Sequence, residues 1–423
     1  MSRSPCDVCP GHEPPPRLDD ASTVSVVVTH FEQPDDLART LRCLEQQTVA
    51  PVEVIVTDDG SATPPRVPAG VRLLTQPDQG FRAALARNRA VEAARGDLVV
   101  LLDADTAPEP TLVERLTAPV RADPDVLAGG RRRHTTYGAP ALDPAAPLRG
   151  ALEHALPEPA WLAEGWAGSD DLRAADDGSF RYLFGAILAA SAWGWRRIGG
   201  FDPTFSDYGG EDWDLAHRWW RDGGRLRHVP DAVAWHHGAD AGLEPRAWGE
   251  TGVVDDRLLV ESLAVARRIH AAPVAFRGLR SGPPRVVVTH DDDLPDRELV
   301  IAVDGLLAGL PHAVVVSDRA VWAGVGDDRV RADAGPLRTA SVGLHLHRGL
   351  TGDPAAWVPL AHPDDVRVCH EVDDAPAVTA TDLRRLRRTH LGLEPESATT
   401  RPVPDALRPV GDTTLAAWLG GWG

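Results

Sequence analysis

The chain contains no lysine, and all 44 of its basic residues are arginine. Against 62 acidic residues this leaves a formal net charge of −18. That balance argues against non-specific nucleic-acid binding and against a polybasic membrane patch. Cysteine is scarce: Cys6, Cys9, Cys43 and Cys369 are too few and too scattered for a disulfide framework, and suit a reducing compartment. Cys6 and Cys9 with His12 resemble half of a zinc site, but a fourth ligand is lacking, and residues 1–21 are expected to be a disordered tail. No apolar run reaches the ~18–20 residues of a membrane span. The polar, Pro-rich start lacks the apolar core of a signal peptide. The expectation is a cytoplasmic protein without a membrane span. Its 423 residues, 43% hydrophobic and 25% charged, suffice for two or more globular domains.

What is present is a series of β-branched and leucine-rich runs that end in acids. Val24 to Thr29 and Val52 to Thr57 read as buried strands, with Val71 to Leu74 and Asp97 to Leu102 completing a set of four. Pro34 opens a helix with Leu37, Leu41 and Leu44 on one face, and Arg82 to Ala94 forms another, stopped by Gly96. Strand, helix, strand, strand, helix, strand predicts a parallel α/β sheet. Ligands of such sheets sit off the carboxyl ends of the strands. There the sequence places His30-Phe31-Glu32, Asp58-Asp59 and Asp103-Ala104-Asp105. Two carboxylates separated by one residue at a strand exit can hold a cation that bridges phosphates.

Further on, Arg131-Arg132-Arg133 reads either as solvated surface or as a phosphate- or acceptor-facing loop. Residues 138–178 lack periodicity and read as a long, partly mobile loop. Gly209-Gly210-Glu211-Asp212 enters a helix rich in tryptophan, stopped by Gly223-Gly224. Glu211 and Asp212 read either as helix-capping acids or as a general base for an attacking hydroxyl. Leu226–Val229 and Ala232–Trp235 read as short strands before His236-His237. That pair is either structural or supplies a third ligand to a carboxylate-held metal.

These motifs resemble family 2 nucleotide-sugar glycosyltransferases of the GT-A fold. The likeness rests on Ser25 to Pro34, Asp58-Asp59-Gly60-Ser61, Gln79 to Asn88 and Asp103-Ala104-Asp105. Gly199-Gly200-Phe201-Asp202-Pro203 and Tyr208 to Asp212 look like the acceptor-side half shared by chondroitin polymerases, β-1,4-galactosyltransferases and polypeptide N-acetylgalactosaminyltransferases. The resemblance implies an inverting transferase using Mn²⁺ or Mg²⁺. The donor would be a nucleotide sugar, UDP-linked by resemblance alone, and the acceptor a glycan, peptide or small molecule. By the same likeness, Thr29, Asp58, Asp59, Arg82, Arg87 and Asp103 would bind the nucleotide. Asp103, Asp105 and His236 would hold the metal, with His237 as the competing choice. Asp212 would be the base and Glu211 an acceptor-binding acid. His30-Phe31-Glu32 departs from the Thr-Tyr-Asn of many members.

The implied organisation is a GT-A (Rossmann-like) mixed-sheet domain over 22–240, a helical linker over 241–284 expected to pack on the first domain or lead to the next, and a second, degenerate GT-A-like α/β domain over 285–398 before a tail at 399–423. The repeat is carried by Arg285 to His290, which echoes Val26 to His30, by Leu294-Pro295-Asp296 with its helix, and by Ala313 to Asp318. Val366 to Asp373 is expected to echo the strand that ends at Asp103-Ala104-Asp105. Lacking a Gly-Gly-Glu-Asp segment, the second unit is expected to be catalytically silent and to serve structure, homodimer formation or acceptor docking. Two rival readings differ in kind. A non-catalytic nucleotide-sugar or glycan binder would not need a base at the acceptor side. A nucleotidyltransferase-like enzyme would need a Gly-rich phosphate loop, and His30-Phe31-Glu32-Gln33 is not one.

Overall fold

The computed structural model describes residues 14–136, 151–206, 209–237, 263–269, 271, 274, 284–323, 325–332, 340–365, 367–392, 394–395 and 397–410. It divides into two compact units. One takes Pro15–Trp220 and Gly224–Ala275, and the other takes Phe276–Gly423 with Arg221–Gly223.

In the N-terminal unit β1 (Val24–His30), α1 (Pro34–Leu44), β2 (Glu53–Asp58), β3 (Arg72–Thr75), α2 (Ala83–Ala93) and β4 (Leu98–Asp103) follow in order. After them come β5 (Thr106–Pro108), α3 (Leu112–Ala122), β6 (Val126–Thr135), α4 (Ala160–Gly168), β7 (Ile187–Ser191), α5 (Ala192–Ile198), α6 (Glu211–Arg221) and β8 (Arg225–His237). The eight strands form one sheet in the order β3-β2-β1-β4-β7-β6-β8-β5. β3, β2, β1 and β4 are parallel, while β7 runs antiparallel to β4 and β6.

Alternation along the strands explains why these runs are apolar without a break. Val26, Val28, Val100 and Leu102 enter one core, and Val27, Val99 and Leu101 enter the core on the other face. A parallel sheet covered on both faces demands this pattern. Each fully buried Val or Leu contributes about 1.5–3 kcal/mol relative to exposure. Polar residues are therefore expelled to the strand ends, where Thr29, Asp58 and Asp103 stand. Of the expected linker, Leu263, Val265 and Ile269 are described, and the last two are buried in this unit's core.

The C-terminal unit comprises β9 (Val286–His290), α7 (Asp296–Gly309), β10 (Ala313–Val316), β11 (Val330–Arg331), β12 (Val342–Leu346), β13 (Leu350–Gly352), β14 (Arg367–Val372), β15 (Ala375–Asp382), α8 (Leu383–His390), β16 (Ala398–Pro402) and β17 (Leu407–Pro409). Its main sheet has the order β11-β10-β9-β12-β15-β14-β16. Strand for strand this reproduces the order β3-β2-β1-β4-β7-β6-β8. The senses agree as well: β9 is parallel to β10 and β12, β15 is antiparallel to β12 and β14, and β14 is parallel to β16. The repeat is thus a complete sheet.

Several expectations need correction. The strand equivalent to β4 is β12, which ends at His345-Leu346-His347, and not Val366 to Asp373, whose strand β14 occupies the place of β6. The expected loop 138–178 contains α4, anchored by the buried Leu162 and Trp166. Its residues 138–150, like Cys6, Cys9 and His12, lie outside the described residues. The two short strands before His236 are one strand, β8, whose pairing with β6 shifts register between Gly130 and Arg131. The boundary at 398/399 falls inside β16, which pairs with β14 and belongs to the sheet.

Candidate active site

The carboxyl ends of β1, β2 and β4 bring the acids together. His30 donates from Nδ1 to Asp58 Oδ1 at 2.8 Å, both side chains being buried, and its Nε2 accepts from the backbone N–H of Gln33. The Ser61 hydroxyl donates to the same oxygen at 2.6 Å and its backbone N–H to the other. Asp58 is therefore committed on both oxygens within the protein. Asp59 accepts from Gln76 and from the backbone N–H of Arg82 at the entrance of α2, and burial raises its pKa. Gly60 makes this corner possible. Its φ is +94°, and a Cβ there would stand 2.4 Å from the backbone nitrogen of Asp78. Thr29 lies beside Asp103 in the β1–β4 register. Thr29 Oγ1 and Arg82 Nε are buried and have no hydrogen-bond partner among the described residues. Buried polar atoms left so are positions a ligand can satisfy.

Arg87 is the centre of the charge arrangement. One terminal nitrogen donates to Asp103 at 2.9 Å and the other to Glu211 at 2.8 Å. The guanidinium thus joins the end of β4 to the first turn of α6. Asn88, its neighbour on α2, exchanges two 2.8 Å hydrogen bonds with the backbone of Phe201. These fasten the Gly199-Gly200-Phe201 segment to α2.

Asp212 follows Glu211 in the first turn of α6. Its oxygens accept from the backbone N–H of Gly185 at 3.0 Å and of Trp213 at 2.8 Å. Desolvation by burial, then the charge of Glu211, push its pKa up to about 7 against the opposing pull of Gly185, Arg87 and Trp213. A carboxylate tuned to that range can take a proton at neutral pH.

Asp105 lies two residues beyond Asp103, past the end of β4. It accepts from Gln33 Nε2 at 2.9 Å and stands 3.3 Å from His236 Nε2. Burial alone would raise its pKa; the hydrogen bond and charge of His236, with Gln33, outweigh this and hold it at about 2. His236 reaches it because β8 pairs Thr106 with His236 across the sheet. Asp103 is engaged by Arg87. Among the described residues, three ligand atoms of His, Asp, Glu or Cys converge within 4.8 Å of one another only in the C-terminal unit, at Asp291, His345 and His347.

The three arginines lie on β6 and not in a loop. Arg131 makes a bidentate pair with Glu158, both contacts at 2.7 Å. Arg132 and Arg133 lie over the rings of Phe184 and Trp235. Two residues of the site carried no assignment in the sequence. Gln33 stands in a motif that departs from the family pattern. Gly185 acts through its backbone, which leaves no side-chain signal.

Residues 25–145 match the model of glycosyl transferase family 2, and residues 177–237 match a model described as the N-terminal domain of galactosyltransferase. Among curated proteins, hyaluronan synthase of Pasteurella multocida is 32% identical over 238 residues, 50% of this chain and 24% of that protein. Chondroitin synthase of Escherichia coli is 29% identical over 238 residues, 50% of this chain and 34% of that protein. Validoxylamine A glucosyltransferase of Streptomyces hygroscopicus subsp. limoneus is 30% identical over 219 residues, 46% of this chain and 47% of that protein. The chain thus spans between about a quarter and about half of each of these relatives. On these matches, residues 25–145 are similar to glycosyl transferase family 2 and residues 177–237 to the N-terminal domain of galactosyltransferase.

Proposed function

We propose that the N-terminal unit transfers a sugar from a nucleoside-diphosphate sugar, UDP-linked by preference, to an acceptor hydroxyl with inversion at the anomeric carbon. The observation that carries this reading is Asp212. It is a carboxylate with a pKa of about 7, held by two backbone N–H groups, in the same helical turn as an acid tied through Arg87 to Asp103. Asp212 takes the acceptor proton as the acceptor oxygen forms its bond to the anomeric carbon. The bond from that carbon to the diphosphate oxygen breaks, and the nucleoside diphosphate leaves with the electron pair. Glu211, fixed by Arg87, borders the acceptor side.

Asp105 and His236 are the residues that would hold Mn²⁺ or Mg²⁺; Asp103 is turned to Arg87 and does not converge with them. The donor set fits, since an ionised carboxylate oxygen and an imidazole nitrogen stand 3.3 Å apart. When bound, such an ion neutralises the departing diphosphate as a Lewis acid. Turnover is assigned to this unit alone, because the C-terminal unit lacks a Gly-Gly-Glu-Asp segment. The cytoplasmic expectation is kept within this proposal, on the strength of free Cys43 and Cys369. No helix among the described residues is long and apolar enough to cross a membrane.

The deciding experiment incubates the full chain with a panel of UDP-sugars and Mn²⁺, offering chondroitin or hyaluronan oligosaccharides in one arm and validoxylamine A in another. Mass spectrometry of a product heavier by one sugar supports transfer. Donor binding with neither transfer nor hydrolysis would turn the reading to the non-catalytic binder.

A further inference from the structure

The register of the two sheets identifies which residues of the C-terminal unit stand where Asp103 and Asp105 stand in the N-terminal one. β1 places Thr29 opposite Asp103, and β9 places Thr289 opposite His345. The residue two positions on is Asp105 in one unit and His347 in the other. Residues two apart at a strand end lie on one face. The Asp-Ala-Asp of the first sheet is therefore His-Leu-His in the second. The carboxylate that completes the group comes from Asp291, just past β9. Its backbone N–H donates to the carbonyl of Leu346, which fixes it against the end of β12.

Asp291 Oδ1 stands 2.8 Å from His345 Nε2, and Oδ2 stands 3.0 Å from His347 Nδ1. The remaining ring nitrogens are also occupied. His345 Nδ1 meets Thr289 Oγ1 at 2.7 Å, and His347 Nε2 meets Thr379 Oγ1 at 2.9 Å. A hydroxyl that takes the far N–H of each ring leaves the near nitrogen as a lone pair. Second-sphere holding of the far nitrogen is the usual arrangement for a metal-ligating histidine. Three acceptors then face one point, two nitrogens and a carboxylate oxygen, which a cation stabilises. Asp291 is 35% exposed and His347 28% exposed, so an ion has an entry path and room for a water or a further ligand. Imidazole donors suit zinc and its borderline neighbours better than they suit magnesium.

We propose that Asp291, His345 and His347 form a binding site for a divalent transition metal of the Zn²⁺ class, at the place in the repeat where the first sheet carries its Asp-x-Asp. The site has three protein donors and one open position. It is independent of sugar transfer, and its metal preference differs from that of the carboxylate pair in the N-terminal unit.

The test uses the full chain, stripped with chelator and titrated with Zn²⁺ against a chromophoric competitor. Co²⁺ serves as a second probe through its visible ligand-field bands. An Asp105→Asn background removes the contribution of the N-terminal unit. The expected result is one Zn²⁺ bound per chain in that background, not displaced by excess Mg²⁺. His345→Gln and His347→Gln are expected to weaken binding by more than 10-fold each and to remove the Co²⁺ bands. Thr379→Val keeps all three donors and guards against misfolding as the explanation; it is expected to weaken binding about 10–100-fold with the melting temperature of the metal-free protein unchanged. Zn²⁺ affinity that is the same in the His345→Gln/His347→Gln double variant overturns the proposal. So does the absence of Zn²⁺ binding in the Asp105→Asn background.

Discussion

Arg87 donates to Asp103 at 2.9 Å, and its other terminal nitrogen is held by Glu211. One buried cation therefore ties an acid at the end of β4 to an acid in the first turn of α6. The two halves of the N-terminal unit match two different family models, and this ion pair network joins them. The arrangement also limits what Arg87 can do, because both terminal nitrogens are already in use.

Replacing Arg87 by Ala leaves Glu211 buried without its counter-charge. Loss of one partner of a buried pair costs about 3–5 kcal/mol. Urea denaturation of Arg87→Ala should read a loss in that range, and Arg87→Lys a smaller one, since one ammonium cannot serve both acids as a fork does. A loss below about 1 kcal/mol would show that the network does not hold the halves together.

Transfer should depend on pH through Asp212. With a pKa of about 7, the base is half protonated near neutrality, so the rate should rise from pH 6 to 8 and then level. Asp212→Asn should lower the rate about 10²–10⁴-fold and abolish that limb. A limb that persists in the variant assigns the ionisation to another group.

The same group makes a stability prediction of definite sign. The folded-state pKa of Asp212 lies above its ordinary value of 3.8, so the folded protein keeps a proton that the unfolded chain releases. Its contribution is fully present below about pH 4 and is lost as pH rises through about 7. Asp212→Asn should therefore gain melting temperature relative to the parent between pH 5 and 8. An unchanged difference across that range counts against the shift.

Donor binding and chemistry should separate. Asp105→Ala should abolish the Mn²⁺-dependent part of UDP-sugar binding in calorimetry, a loss of more than 10-fold, whereas Asp212→Asn should retain it. Unchanged metal-dependent binding in Asp105→Ala would remove Asp105 from the metal site.

Gly60→Ala forces a side chain into positive φ and against Asp78. Such strain costs about 1–3 kcal/mol, to be read by denaturant unfolding. The corner also carries Asp59, so Mn²⁺-independent nucleotide affinity should fall with it. A neutral substitution would mean that the corner relaxes without consequence.

Much of the sheet from β1 to β4 was legible in the sequence, because its signals are local. Val24 to Thr29 and Asp97 to Leu102 announce buried strands by composition alone, and a strand that must be apolar throughout its length leaves its acids at the end. Asp103, Asp105 and the Glu211-Asp212 helix start were legible for the same reason. Where the expectations failed, the missing information was pairing. Val366 to Asp373 ends in acids as β4 does, whereas in the sheet β12 holds the place of β4 and carries imidazoles instead of carboxylates. Chemistry changed while position persisted, and a search for acids passes over histidines.

The sequence by itself determined the strands and helices from Val24 to Asp103 and the acids at their ends, since burial periodicity and helix-start preferences act over a few residues. Tertiary structure alone decided which of those groups meet. His236 reaches Asp105 through the pairing of β5 with β8, Arg87 spans to Glu211, and Asp291 closes on His345 and His347. Contacts between residues far apart in the chain depend on sheet order and register. These follow from the packing of whole faces, not from any one segment.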